Sequence, residues 1–477
     1  MLRKLMKLSN IMDHLMTITA IRPKKIAVVG SGISGLSCAW LLNKAHDVTL
    51  FEKDDRLGGH SNTVSFNLDE QTVHVDTGFI VFNPVNYPNL VNFLNILDVD
   101  SCDTDMSFAV SANQGAFEYS GTGIQGLFAQ KRNLFSPTFW SMIKDLLDFY
   151  KNSDQLLEEV QQHPITLGEL IRQKGYSDSF IRNHLLPFGA AIWSTPMDKM
   201  LDYPALSFLR FCKNHGLSQL TNRPQWRTIP GGSIGYVSKI AQSLSGKVRL
   251  NSRIHKVIRQ HDGILIEDHH GSREHFDQIV LACHADQALS LLANPTKQEK
   301  RLLSGFPYQR NQAFLHLDQS LMPKRHKVWS SWNYILEGAD YQSQQASVTY
   351  WMNQLQPLNT DTPVMVSLNP PSPPAQDKLI RSFFYDHPVF GKESLSSQKL
   401  LWQLQGKQNT WFCGAYFGYG FHEDGLQSGL AVAEQLGGIP RPWQLKEPNN
   451  RIYVSTPVHT PAKPHTEQPE VVEQING

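Results

Sequence analysis

A chain of 477 residues exceeds the length one hydrophobic core usually serves, so two domains are expected. Its 44 basic and 43 acidic side chains leave a formal net charge of +1, which gives no reason to expect nucleic acid or any strongly charged partner. Five scattered cysteines without Cys-x-x-Cys spacing, and nineteen histidines without a His-Glu-x-x-His, argue against a disulfide framework and a metal site, and a cytoplasmic location is expected.

Within residues 1–23, Leu2, Leu5, Leu8, Met12, Leu15 and Met16 follow helical spacing, with Arg3, Lys4 and Lys7 between them. A compact apolar core and a cleavage site, the marks of a secretory signal, are missing. A frayed extension, a docking helix, a misassigned start or a basic amphipathic helix on the inner face of a membrane all fit. No apolar run approaches the roughly 20 residues that span a bilayer.

Ile26 to Val29 form a short apolar run suited to a parallel strand buried on both faces. Gly30-Ser31-Gly32-Ile33-Ser34-Gly35 follows, then the helix-like Leu36 to Lys44. Gly30 permits the tight turn, Gly32 lets a pyrophosphate approach the backbone, and Gly35 lets the helix pack closely on the sheet. Val48 to Phe51 read as the second strand, and Glu52, 22 positions after Gly30, ends it where a carboxylate can accept hydrogen bonds from a ribose. The run Lys53-Asp54-Asp55-Arg56-Leu57-Gly58-Gly59-His60 offers a second place where backbone lies close to a phosphate. A fold for nicotinamide alone would not require it.

Farther along, Trp140 to Val160 has a helical apolar pattern, and Thr228 to Gly235 is a Gly-rich passage ahead of the helix-like Tyr236 to Leu244. Val248 to Val257 is strand-like, Ile264 to Ile266 a second strand, and Phe276 to Ala282 a buried strand returning to the main sheet. From Trp411 to Gly429 a strand ends near Cys413, a glycine and aromatic loop follows, and Leu430 to Leu436 continues as helix. From about Pro440 the composition turns to Pro, Asn, Thr, Gln and Glu, and after Ser455 it reads as a disordered tail.

Taken together, Gly30 to Gly35, Lys53 to His60 and the late loop around Gly425 resemble the FAD superfamily that includes flavin amine oxidases, protoporphyrinogen oxidase and carotenoid desaturases. The resemblance implies an α/β fold: a Rossmann-like FAD-binding domain from residues 24–100, 225–300 and 405–438, and an interleaved α+β substrate domain from 101–224 and 301–404. Residues 1–23 and 439–477 would be an extension and a tail. It implies FAD as cofactor, held by Gly30, Gly32, Ile33, Ser34, Gly35, Glu52, Lys53, Arg56, Gly58, Gly59, His60, Val257, Gly414, Asp424, Gly425 and Leu426. Cys283 and His284 would run toward the flavin, and Gly231 and Gly232 would either pass close to cofactor or make a tight interdomain turn. The usual second motif ends Gly-Gly-Arg, and here His60 replaces the arginine.

A closer similarity is to a bacterial group of NAD/FAD-binding, amine-oxidase-domain proteins linked to lipid modification, on Asp76 to Asn83, Phe188 to Pro196 and Trp329 to Tyr334. Trp193, Trp329, Trp332, Tyr350, Trp351, Tyr416, Phe417, Tyr419 and Phe421 form an aromatic set that could line an acyl tunnel, cage an amine or fill core. Tyr419 and His422 are candidates for proton handling. Many flavin amine oxidases carry a lysine that holds water near flavin N5. The corresponding stretch here, Arg301 to Pro323, contains none, leaving Asn311, Gln312 or His316 for that task. Hydride transfer between flavin N5 and an unsaturated fatty-acyl lipid, by desaturation or isomerisation, is therefore favoured over oxidation of a small amine or polyamine and over flavin binding without turnover. An apolar or amine small molecule is the expected partner, with no nucleic acid and no inference on oligomeric state.

Overall fold

The computed structural model describes residues 22–219, 223–337 and 347–455. The amphipathic stretch of the first 21 residues and the sequence after Ser455 lie outside them.

Three distant segments build one five-stranded parallel sheet, in the order Thr410–Phe412, Gln278–Leu281, Lys25–Val29, Asp47–Phe51 and Val248–Arg249. Lys25–Val29 lies centrally, and Ile26, Ala27 and Val28 have no exposed surface, which is why its sequence is a continuous apolar run. Two helices, Ile33–Leu42 and His422–Gly437, pack on each other. Glycine permits the close crossing: a Cβ on Gly429 would run into the Ser34 carbonyl.

A second layer is a seven-stranded sheet ordered Leu379–Pro388, Tyr308–His316, Met365–Leu368, Val348–Trp351, Trp332–Leu336, Phe108–Ala112 and Phe117–Ser120. Its pairs are antiparallel except Trp332–Leu336 with Phe108–Ala112. Helices from Pro137–Lys151 to Ala205–Asn214 make up the intervening chain. No helix among the described residues is long and apolar enough to cross a membrane.

Four stretches differ from their sequence patterns. The apolar pattern of 140–160 is two helices, Pro137–Lys151 and Ser153–Gln162, broken at Asn152. Val248 to Val257 divides between two sheets, with Asn251 at φ 51° turning the chain between them. The last helix begins at His422, so Asp424, Gly425 and Leu426 lie in its first turns and not in a loop. The expected tail from 439 instead packs back at intervals as far as Ile452: Ile439, Arg441, Arg451 and Ile452 are all buried.

Candidate active site

The two sheets enclose a cavity of about 810 Å³. At one end, the strand Lys25–Val29 runs into Gly30, whose φ of +104° and a virtual Cβ only 2.8 Å from the Ala282 carbonyl oxygen require glycine. A Cβ on Gly35 would collide with the Gly30 carbonyl, so these two glycines serve the turn and the packing. Gly32 differs, because a Cβ there meets nothing within 4 Å and would project into open space. Gly30, Gly32, Ile33 and Ser34 line the cavity at the start of the helix Ile33–Leu42, whose first-turn amides have no side-chain cap.

Glu52 ends the neighbouring strand and also lines the cavity. Its Oε2 accepts hydrogen bonds from the Ser31 amide at 2.9 Å and hydroxyl at 2.5 Å, and its Oε1 accepts from the Asp54 amide at 3.0 Å. The carboxylate is thus fixed beside the glycine turn. The second glycine turn rests on the first: the Gly58 amide donates to the Ser31 carbonyl at 3.0 Å, and a Cβ on Gly59 would sit 3.1 Å from the Gly32 Cα. Arg56 donates to the Gly59 carbonyl at 2.9 Å, and Lys53 and Arg56 add positive charge to this wall. Two amide-rich turns, two cations and an anchored carboxylate fit the diphosphate and ribose of FAD.

Deeper in, His60 faces Tyr385 at 5.0 Å, His387 at 5.3 Å and His284 at 6.4 Å between ring centroids. Its Nε2 is buried with no hydrogen-bond partner among the described residues. Burial, reinforced by neighbouring cationic or imidazole groups, pushes His60 and His387 down to about 3 and His284 to about 4. His422 stacks on Phe79 at 3.7 Å with an 8° interplanar angle, and its Nε2 pairs with the Tyr236 hydroxyl at 2.8 Å. Tyr236 in turn bonds the Ser61 hydroxyl, and burial pushes His422 down to about 3. Near neutral pH the site therefore presents uncharged imidazoles, able to exchange hydrogen bonds without carrying charge.

Of the expected cofactor residues, the cavity gathers Gly30, Gly32, Ile33, Ser34, Glu52, Lys53, Arg56, Gly58, Gly59, His60, Gly414 and Gly425. Tyr419, His422, Cys283 and His284 join them, as do Trp193, Trp332, Tyr350, Tyr416 and Phe421 from the aromatic set. Gly35, Val257, Asp424 and Leu426 stand behind the wall. Val257 gives its carbonyl to the Ala293 amide, while Ile254 and His255 reach the cavity; Asp424 pairs with Arg451, and Leu426 is packed in core. Gly231 and Gly232 are likewise outside the lining, and both have a positive φ as turn residues do.

His316 is a correction. It lies fully buried in the seven-stranded sheet with both nitrogens engaged, Nε2 with the Ser367 hydroxyl at 2.8 Å and Nδ1 accepting from the Asp318 amide at 3.0 Å. It lines no part of the cavity and cannot act there. On the same strand Asn311 does approach the site, its Nδ2 lying 2.9 Å from His387 Nδ1. Gln312 is not in the lining. Tyr385 and His387 were not singled out from sequence, although their Tyr-x-His alternation is the period-2 pattern that puts both on one face of a strand.

Residues 33–357 match the family described as flavin containing amine oxidoreductase. Among curated proteins, the chain is 25% identical over 300 residues to 15-cis-phytoene desaturase of Arabidopsis thaliana, covering 58% of this chain and 50% of that protein. It is 26% identical over 261 residues to amine oxidase [flavin-containing] A of Canis lupus familiaris, covering 51% and 46%. The chain thus spans about half the length of these relatives. Among solved structures, cyclohexylamine oxidase from Brevibacterium oxydans superposes with a TM-score of 0.61 at 14% identity, covering 87% of this chain and 100% of that one.

Proposed function

The chain belongs to the flavin containing amine oxidoreductases, with FAD as cofactor, and on that premise we propose that it transfers hydride between FAD and a carbon of an unsaturated fatty-acyl lipid. One observation supports the substrate class. Beyond the histidines, the cavity wall is mainly apolar and aromatic, including Phe108, Phe188, Trp193, Phe211, Trp332 and Tyr350, with Ser107, Ser194 and His215 among them. Of the carboxylates in the lining, Glu52 and Asp54 belong to the nucleotide end, and Asp386 acts on its neighbour His387 in the histidine cluster and not in the aromatic arm. An ammonium group entering the aromatic arm would lose its water without gaining an anion, whereas an acyl chain would gain by leaving water.

When bound, FAD supplies hydride chemistry at flavin N5. The protein's part is to hold an activated C–H bond against it and to exclude water, which the aromatic arm does. His422 is pinned between Phe79 and the Tyr236–Ser61 hydroxyls and acts by fixing this wall. His60 lines the cavity, and its buried Nε2 has no hydrogen-bond partner among the described residues, which leaves this imidazole uncommitted to the protein.

The names of the relatives favour a second reading, oxidation of an amine, which would enter this arm in its uncharged form. Anaerobic mixing decides between them. An unsaturated fatty acid is expected to bleach the flavin or to emerge with its double bond moved, while primary and secondary amines leave the spectrum unchanged. Bleaching by amines alone would establish the second reading, and an inert spectrum with every donor would indicate a flavin-binding protein without turnover.

A further inference from the structure

The large apolar side chains this protein leaves in water include a cluster. Ile124 is 80% exposed, Phe135 87%, Trp140 47% and Leu134 43%. All four come from the turn Ile124–Leu127, the 3₁₀ turn Lys131–Phe135 and the start of the helix Pro137–Lys151. The Phe128 amide donates to the Ile124 carbonyl at 3.1 Å, the Phe128 ring packs on Trp140 at 5.6 Å, and the Trp140 indole N–H donates to the Leu134 carbonyl at 2.9 Å. Single exposed apolar residues are ordinary, but a fixed cluster with two nearly bare tips is a binding feature.

The chain on either side of it carries one sign of charge. Between Glu118 and Asp145 the chain has Lys131, Arg132 and Lys144 and no carboxylate. The turn His326–Val328 packs against Ile124–Leu127 and brings exposed Lys324 and Lys327 close by. Glu118 itself is buried and paired with Arg325 at 2.7 Å, so it does not offset them. In a chain of net charge +1 this is a local concentration of cations.

We propose that this face docks on an anionic phospholipid surface, with Ile124 and Phe135 entering the acyl boundary, Trp140 at headgroup level, and Lys131, Arg132 and Lys327 against lipid phosphates. Protruding tips within a cationic rim suit a soft headgroup layer, whereas a protein partner of standard size needs a broad complementary face. The face adjoins the cavity wall: the Gly121 amide donates to the carbonyl of Phe108, a lining residue that packs on Phe188, another. Docking requires no particular substrate and stands apart from the choice between lipid and amine.

Flotation of the full-length, FAD-loaded protein with phosphatidylcholine vesicles, with and without phosphatidylglycerol, tests it. Binding is expected to the anionic vesicles only, to weaken with salt, and to fall at least about tenfold in Ile124→Ser/Phe135→Ser and in Lys131→Glu/Arg132→Glu. Because these side chains lie in water, flavin content and melting temperature of both variants should match the parent, which separates lost docking from lost folding. Failure of the parent to bind anionic vesicles, equal binding to phosphatidylcholine alone, or undiminished binding by the Ile124→Ser/Phe135→Ser protein would each overturn the proposal. No substrate is present, so the outcome leaves the reaction assay untouched.

Discussion

Replacing Gly32 with valine is expected to yield a folded protein that has lost FAD. Gly32 has φ −63° and ψ 175°, a conformation open to any residue, and its virtual Cβ touches nothing. The helix start should lose only about 1 kcal/mol from the poorer N-cap residue. The isopropyl group would, however, occupy the space between the two glycine turns that a diphosphate needs. Cofactor affinity should fall at least about 100-fold, equivalent to ~2.7 kcal/mol. Gly30→Val and Gly35→Val are different experiments, since the first forces a side chain to φ +104° and the second drives it into the Gly30 carbonyl. Those two should lose the fold along with the cofactor. The flavin-to-protein ratio, read beside the melting curve of the cofactor-free forms, distinguishes the cases. Full flavin occupancy in Gly32→Val would remove the diphosphate from this turn.

The second large effect is expected far from the glycines. Arg451 and Asp424 form a buried ion pair at 2.7 Å, and Arg451 also donates to the Asn86 carbonyl at 3.1 Å and lies over the Tyr87 and Tyr419 rings. Burial pushes the Asp424 carboxyl up against the pull of Arg451, so this carboxylate depends on its partner. Arg451→Ala should cost about 3–5 kcal/mol by leaving Asp424 buried and unpaired. For a chain of this size unfolding cooperatively, that is a fall of about 3–5 °C in melting temperature. Arg451→Met combined with Asp424→Asn should recover part of the loss, because the asparagine keeps an oxygen for the Phe421 amide that Asp424 now caps at 2.8 Å. Equal stability of the single and double variants would show that the pair is not coupled. Since Gly425 lines the cavity one residue on, the single variant should also release FAD more readily.

The nucleotide end was legible because its signals are local. An apolar run, glycines at fixed offsets and Glu52 at the next strand end each follow from chemistry within 25 residues. What failed was long-range. His316 has the right residue type on the expected strand, but its nitrogens are engaged by Ser367, 51 positions away, and by nearby Asp318. Tyr385 and His387 reach the site because Tyr385 registers with Asn311 and His387 with Gln309, a pairing no local pattern announces. The segment after Gly438 looks like a tail in composition, yet Arg441 pairs with Glu434 at 2.7 Å and Arg451 reaches back 27 positions to Asp424. Polar sequences hide such packing when two or three buried contacts anchor them. The aromatic residues divided for a similar reason: Tyr350 faces the cavity while Trp351, next to it on one strand, turns away and packs at 5.4 Å on Trp329, which follows the turn His326–Val328 and precedes the strand that brings Trp332 to the cavity.

On the proposed reading a single cavity holds FAD along Gly32 and Glu52 and an apolar substrate beyond His60. Mass analysis of the small molecules released when the purified full-length protein is denatured tests it directly. FAD close to one per chain, accompanied by a fatty-acyl species, is the predicted result. Protein that releases no flavin, or FAD together with an amine and no lipid, would contradict it.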